Sequence, residues 1–301
     1  IKRATEKGRQ YLMNALKNDP LGMRAIDTVK LSDGKEWAMR MYENGFSYKT
    51  ISNYKRSLKA SFYMAIEDDC IRKNPFNFKL SDVLEDNSEP KVILTPEQEE
   101  KMLAFMEQDK TYSKYYDEVV ILLETGLRIS EFVGLTIADI DFKNRKINVD
   151  HQLQRKRNME YIIEETKTEA GVRQIPMTDD VYECFQRIVA NRKKPKVEPL
   201  IGGRTGFLYL DKNEMPMVAL HWEKYFQHIR EKYNSIYRVQ MPTITPHVCR
   251  HTFCSNMAKS GMNPKTLQYI MGHSDISVTL NTYTHVKFED AEEEMKKVVN
   301  W

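Results

Sequence analysis

The stretch TITPHVCRHTFCSNMAKSG, residues 243–261, brings His247, Cys249, Arg250, His251 and Cys254 within eight positions behind a Thr-Pro pair. It can be read as a zinc knuckle, as a structural helix, or as part of an active site. Thr245 followed by Pro246 is a helix start, because a threonine hydroxyl caps the first free amides and proline suits the first helical position. On that helix His247 and His251 share a face and Cys249 points away from it, and no second Cys-x-x-Cys or His pair nearby completes a zinc tetrad. The cysteines then read as small buried apolar residues, and no metal is expected. His247 and Arg250, three apart, share a face, and His247 stands in the first turn, where free N–H groups and the positive end of the helix dipole favour an anion.

Outward from this helix, 301 residues are enough for two domains, each with its own core. The composition, 41% hydrophobic and 30% charged, is that of a soluble globular protein, and no apolar run approaches the ~20 residues of a membrane span. Four scattered cysteines make no disulfide framework, which points to a reducing cytoplasm. The chain opens on Ile1 and a charged stretch, unlike a signal peptide, so an upstream portion is expected to have been removed. A net charge of +3 neither requires nor excludes a nucleic-acid partner.

The boundary lies in LEDNSEPKVILTPEQ, residues 84–98, where a polar, proline-containing stretch runs into the capping box Thr95-Pro96-Glu97-Gln98. We expect domains over 1–88 and 95–301 joined by a linker at 89–94. The first is predicted to be helical: Ile51, Tyr54, Leu58, Phe62 and Ala65 form one stripe. On the opposite side Ser52, Arg56 and Lys59 line up as a candidate phosphate-contacting strip, with an ordinary solvated face as the alternative. The second domain opens helically through DEVVILLETG, with Gly126 as C-cap. KINVDHQL and EYIIEETKTEAGVRQIPM then predict antiparallel strands pivoting on Gly171, and GFLYLDKNEMPM a second hairpin. The fold class is mainly α with a small antiparallel β-sheet.

Further candidates lie scattered: Arg128 in TGLRISE, Lys167 in TKTEAGVR, His273 in MGHSD after a helix capped by Asn263 and stopped by Gly272, and Tyr283 in NTYTH. Singly, each has a plain structural role: an ion-pair partner of a nearby Glu, a solvated turn lysine, a helix C-cap, a core aromatic. In order, Arg128, Lys167, His247-x-x-Arg250, His273 and Tyr283 resemble the tyrosine recombinases, the integrases that cut and rejoin DNA. The wording of TKTEAGVRQIPM and IMGHSDISVTLNTYTHV is most similar to the integrases of conjugative transposons.

The resemblance spans nearly the whole chain. It implies a two-domain DNA clamp: a helical core-binding domain plus a mixed α/β catalytic domain. From the resemblance, the N-terminal arm-binding domain usual in this subgroup is expected to lie outside these residues. It also implies catalysis of excision and integration by bacterial, nucleoid-associated protein acting on double-stranded DNA. Partners implied are further copies of the chain, a tetramer on DNA held by a tail helix over 287–301, together with an excisionase and a host DNA-bending protein. In the tail, Phe288, Ala291, Met295, Val298 and Val299 fall on one stripe.

The chemistry is intelligible from residue types. A phosphodiester repels nucleophiles until its charge is neutralised and its leaving oxygen protonated. The guanidinium forks of Arg128 and Arg250 match the non-bridging oxygens, and His247 and His273 add donors. The resemblance makes Tyr283 the nucleophile, His247 its base and Lys167 the acid for the departing 5′ hydroxyl. Exchanging one ester for another needs no ATP, and the sequence has neither a carboxylate cluster for two metals nor a GxxxxGK[ST] loop, so no cofactor is expected. A type IB topoisomerase uses a similar set without exchanging partners, and a non-catalytic DNA binder would dispense with Tyr283 and Lys167. The target sequence depends on base contacts and DNA deformability, which one chain does not reveal.

Overall fold

In α1 (Arg3–Lys17), α2 (Leu31–Glu43) and α3 (Tyr48–Glu67), apolar residues recur at helical spacing and turn toward one another. They belong to a computed structural model that describes residues 3–89, 92–166, 169–283 and 295. The chain divides between residues 90 and 91 into two units. Ser47 starts α3 by accepting a hydrogen bond from the Thr50 amide. The predicted stripe faces inward: Ile51, Leu58, Phe62 and Ala65 are buried and Tyr54 packs against them. Trp37 and Phe76 meet edge-to-face at 5.5 Å in this core. Ser52 and Lys59 are half-buried and only Arg56 is exposed. The candidate strip therefore flanks the core stripe rather than opposing it, as expected at 100° per residue for positions one residue beyond Ile51 and Leu58.

The second unit starts at α4 (Pro96–Gln108), where Thr95 and Gln98 close the capping box with bonds of 3.2 and 3.0 Å. In α5 (Tyr116–Thr125) the run Val119–Leu123 is buried on every side, as in a helix enclosed by its neighbours. Gly126 ends it in the left-handed conformation, with φ +63°, and a Cβ there would come 2.5 Å from the Phe253 ring. Then follow α6 (Ile129–Phe132), β1 (Ile140–Asp141), β2 (Lys146–Val149), β3 (His151–Arg155), β4 (Tyr161–Glu165) and β5 (Arg173–Pro176). Helices α7 (Asp179–Asn191), α8 (Ala219–Ile236), α9 (Pro246–Lys259), α10 (Pro264–Met271) and α11 (Ile276–Leu280) complete it. Among the described residues no helix is long and apolar enough to cross a membrane.

The strands correct the sequence reading in one respect. Two antiparallel sheets form, β1-β2-β5 and β3-β4, and the chain changes sheet between β4 and β5. Gly171 is thus not the pivot of a hairpin: it closes a 3-10 turn, Glu169–Gly171, and is required because a Cβ would come 2.5 Å from that of Thr166. The true hairpin turns at residues 156–160, with Met159 at φ +66°. No glycine marks that turn, which is why its sequence is silent. GFLYLDKNEMPM reverses direction around Glu214, but pairs only through the single bridge Leu210–Pro216.

Candidate active site

Thr245 caps α9 by accepting from the Val248 amide, and Pro246 occupies its first turn. His247 is exposed there, its ring 4.6 Å from that of His251 at 78°. Arg250 lies one turn deeper and is 4% exposed. Cys249 and Cys254, on the remaining faces, are buried in the core, and burial pushes the Cys249 thiol far above its usual range.

The end of α10 organises the rest. Asn263 caps its start and Gly272 ends it at φ +61°. The last carbonyls of a helix lack intrahelical partners, and here three guanidinium groups take three in succession. Arg173 Nε donates to Ile270 O at 2.6 Å, Arg250 Nη2 to Met271 O at 2.5 Å, and Arg128 Nη2 to Gly272 O at 2.7 Å. Arg250 Nη1 also donates to Gly126 O, the end of α5. Burial, and after it the charge of Arg128, lower the Arg250 guanidinium from the ordinary arginine value, yet it remains a cation at neutral pH.

Glu131 joins this cluster from α6. Its carboxylate accepts from the Arg128 amide at 2.9 Å and from Arg128 Nη1 at 2.7 Å. Arg173 Nη1 and Nη2 donate to the same two oxygens at 3.2 and 2.9 Å. Burial alone would raise the Glu131 carboxyl, but Arg173 and then Arg128 outweigh it and hold the group below its usual value. Three cations around one buried carboxylate leave a net positive site, and the Arg128 side chain, 37% exposed, is where it opens to solvent.

His273 follows Gly272, with Nδ1 2.9 Å from Thr279 Oγ1. Burial, then Arg250, Arg128 and Arg173, push its imidazole down to about 4, so it is neutral at pH 7. Tyr283 is half-buried against the core, and its hydroxyl donates to Met262 O at 2.5 Å, in the turn between α9 and α10. Burial, and then the Cys254 thiol, raise its phenol above the ordinary value. Cys254 Sγ lies 3.6 Å from Thr282 Oγ1.

Arg128, Arg250 and His273 are thus gathered on one turn, with Tyr283 fastened to the next. Lys167 lies outside the described residues, as does the tail at 287–301 apart from Met295, which is exposed. Sequence reasoning offered Arg128 a nearby glutamate as ion-pair partner, which is Glu131, but passed over Arg173. Arg173 did carry a signal, since period-2 alternation puts it on the core face of β5 with Ile175, and a charged residue there needs a buried partner.

Among the described residues one group, Asp139, Asp150 and His151, has ligand atoms close enough for a metal. Its donors are already engaged: Arg204 binds Asp150 at 2.7 Å and Asp139 at 3.5 Å, and His151 binds Asp150 at 2.5 Å and Gly134 O at 2.8 Å. The arginine supplies the positive charge that a metal would otherwise bring.

The sequence pattern of the phage integrase family matches residues 93–290. A transposase from transposon Tn916 of Enterococcus faecalis is 56% identical over 299 residues, covering 99% of this chain and 73% of the relative. A solved structure of the Tn1549 transposon integrase in complex with transposon right end DNA superimposes with a TM-score of 0.93 at 56% identity, covering 99% of this chain and 95% of the other. A lambda integrase dimer bound to a core site shares the fold, with a TM-score of 0.60 at 15% identity over 94% of this chain and 89% of the other.

Proposed function

The chain belongs to the phage integrase family of tyrosine recombinases, and on that premise we propose that it is the site-specific recombinase of a mobile element, a transposon integrase. It cuts and rejoins double-stranded DNA through a covalent 3′-phosphotyrosyl intermediate, and so excises and integrates the element.

The observation that carries the reading is the seating of Arg128 and Arg250 on the adjacent carbonyls Gly272 and Met271, immediately before His273. A frame built this way holds two guanidinium groups and an imidazole at fixed spacing before substrate arrives, which is what stabilising charge in a transition state requires. In our reading Arg128 and Arg250 bind the non-bridging oxygens of the scissile phosphate and His273 donates a further hydrogen bond. Tyr283 Oη gives up its bond to Met262 O, loses its proton to His247 and attacks phosphorus. The P–O bond to the 5′ oxygen breaks, and Lys167 supplies the proton that leaves a free 5′ hydroxyl. The number of phosphate esters is unchanged, so a second 5′ hydroxyl reverses the step on a new partner.

Ser52, Arg56 and Lys59 are the proposed DNA contacts of the first unit. Lys59 Nζ stands 5.8 Å from the Tyr63 ring centre and Lys55 Nζ 4.6 Å from that of Phe78, which gathers positive charge along the strip. The active form proposed is a tetramer on DNA joined through residues 287–301, working in the bacterial cytoplasm with an excisionase and a host DNA-bending protein. The test is a nicked suicide duplex followed by denaturing electrophoresis. A covalent adduct and strand exchange between two duplexes are expected. Relaxation of supercoils without exchange, or no adduct at all, refutes the proposal.

A further inference from the structure

The Arg173 side chain has no exposed surface, so it cannot itself touch DNA, yet it meets the site at four points. It donates to Ile270 O, to both oxygens of Glu131 and, through Nη1 at 3.0 Å, to Gly171 O. Its guanidinium also lies against Gly272, where a Cβ would come 2.9 Å from Nη1. An apolar side chain could fill that space, whereas a buried charge is costly unless it is paired. The pairing partner is the carboxylate that orients Arg128.

We propose that Arg173 is a positioning residue for phosphate activation. It shares Glu131 with Arg128, so that the carboxylate aims Arg128 without cancelling its charge, and it binds Ile270 O, the carbonyl next to those of Met271 and Gly272 on which Arg250 and Arg128 rest. The inference rests on the reading of Arg128 as a contact to the scissile phosphate. Without Arg173, Glu131 pairs with Arg128 alone and withholds that cation from substrate. The loss falls on the chemical step and leaves DNA affinity unchanged.

The experiment compares covalent adduct formation in a single turnover by the parent chain, Arg128→Ala, Arg173→Met and Arg173→Lys. Each is tried on a suicide duplex with an ordinary scissile phosphate and on one in which a methyl group replaces a non-bridging oxygen. The methylated phosphate is neutral and does not need a cation. Arg173→Met is expected to cleave the ordinary duplex about 10²-fold more slowly, as a small misplacement of a catalytic group does, and to regain most of that loss on the neutral one. Arg128→Ala should be rescued in the same way. If Arg128→Ala is rescued while Arg173→Met stays equally slow on both, Arg173 only supports the fold and the proposal is overturned. Parental rates for Arg173→Met on the ordinary duplex overturn it too. If Arg128→Ala is not rescued, the reading of Arg128 fails and the inference falls with it. Should Arg173→Met fail to melt cooperatively, Arg173→Lys, which keeps the charge but loses the fork, is judged by the same ratios.

Discussion

Arg128 Nη2 and the carbonyl oxygen of Gly272, 144 residues apart in sequence, meet at 2.7 Å. The bond does two jobs. It satisfies a carbonyl that the end of α10 leaves without a helical partner, and it sets the direction of a guanidinium that also donates to Glu131 through Nη1. Arg250 and Arg173 repeat the arrangement on Met271 and Ile270. Cations at a helix C-terminus also complement the dipole, so the cluster of like charges is stabilised by the element that holds it.

His273 is the group that senses these charges. Its imidazole is lowered from 6.5 to about 4, so between these values the unfolded chain takes up a proton that the folded chain refuses. The corresponding stability is full above about pH 6.5 and is lost as pH falls through about 4. His273→Asn can still bond Thr279 but cannot charge, and should flatten this part of the profile. Denaturant melts at about pH 7 and pH 5 check it; parallel pH slopes in the two chains would refute it.

Tyr283→Phe removes the attacking oxygen and the bond to Met262 O. We expect DNA affinity at the parental level, a stability change of about 1 kcal/mol, and no covalent adduct on the suicide duplex. An adduct that moves to another tyrosine, such as the exposed Tyr269, would overturn the assignment.

Lys167→Ala should slow cleavage by roughly 10²–10⁴-fold, the usual loss of a general acid, while DNA binding stays the same. A duplex with sulfur as the bridging 5′ atom sharpens the test, because a thiolate leaves without a proton. The variant should then approach the parental rate, whereas Arg128→Ala should remain slow. Failure of sulfur to restore Lys167→Ala would mean that the lysine holds phosphate and that another group is the acid.

Glu118, away from the site, titrates in the opposite sense. Its Oε2 is buried with no hydrogen-bond partner, and burial, with a smaller contribution from Asp117, raises its carboxyl from 4.5 to about 8. Here the folded chain keeps a proton that the unfolded chain has lost. The stability it contributes is full below about pH 4.5 and is lost as pH rises through about 8, at up to about 1.4 kcal/mol per pH unit. Glu118→Gln, an uncharged mimic, should gain in melting temperature over the parent as pH rises across this window. A constant difference between the two chains would refute it.

The sequence by itself determined the features that depend on near neighbours. Thr245-Pro246, Thr95 with Gln98, Asn263 and the glycines at 126 and 272 fix helix ends, because a cap is a bond between residues two to five apart. The stripe from Ile51 to Ala65 marks a buried face for the same local reason. The order of Arg128, His247, Arg250, His273 and Tyr283 carried the family. Tertiary structure alone decided which strands pair, since β4 and β5 are consecutive in sequence yet belong to different sheets, and no local residue records that change. It alone decided that Arg173 and Arg128 share Glu131, and that three guanidinium groups take Ile270, Met271 and Gly272 in turn. The bonds to the three carbonyls join residues 21 to 144 positions apart. Their direction is set by the packing of α5, α6, α9 and β5 around the end of α10, where a buried charge is stable only beside the one partner that the fold brings to it.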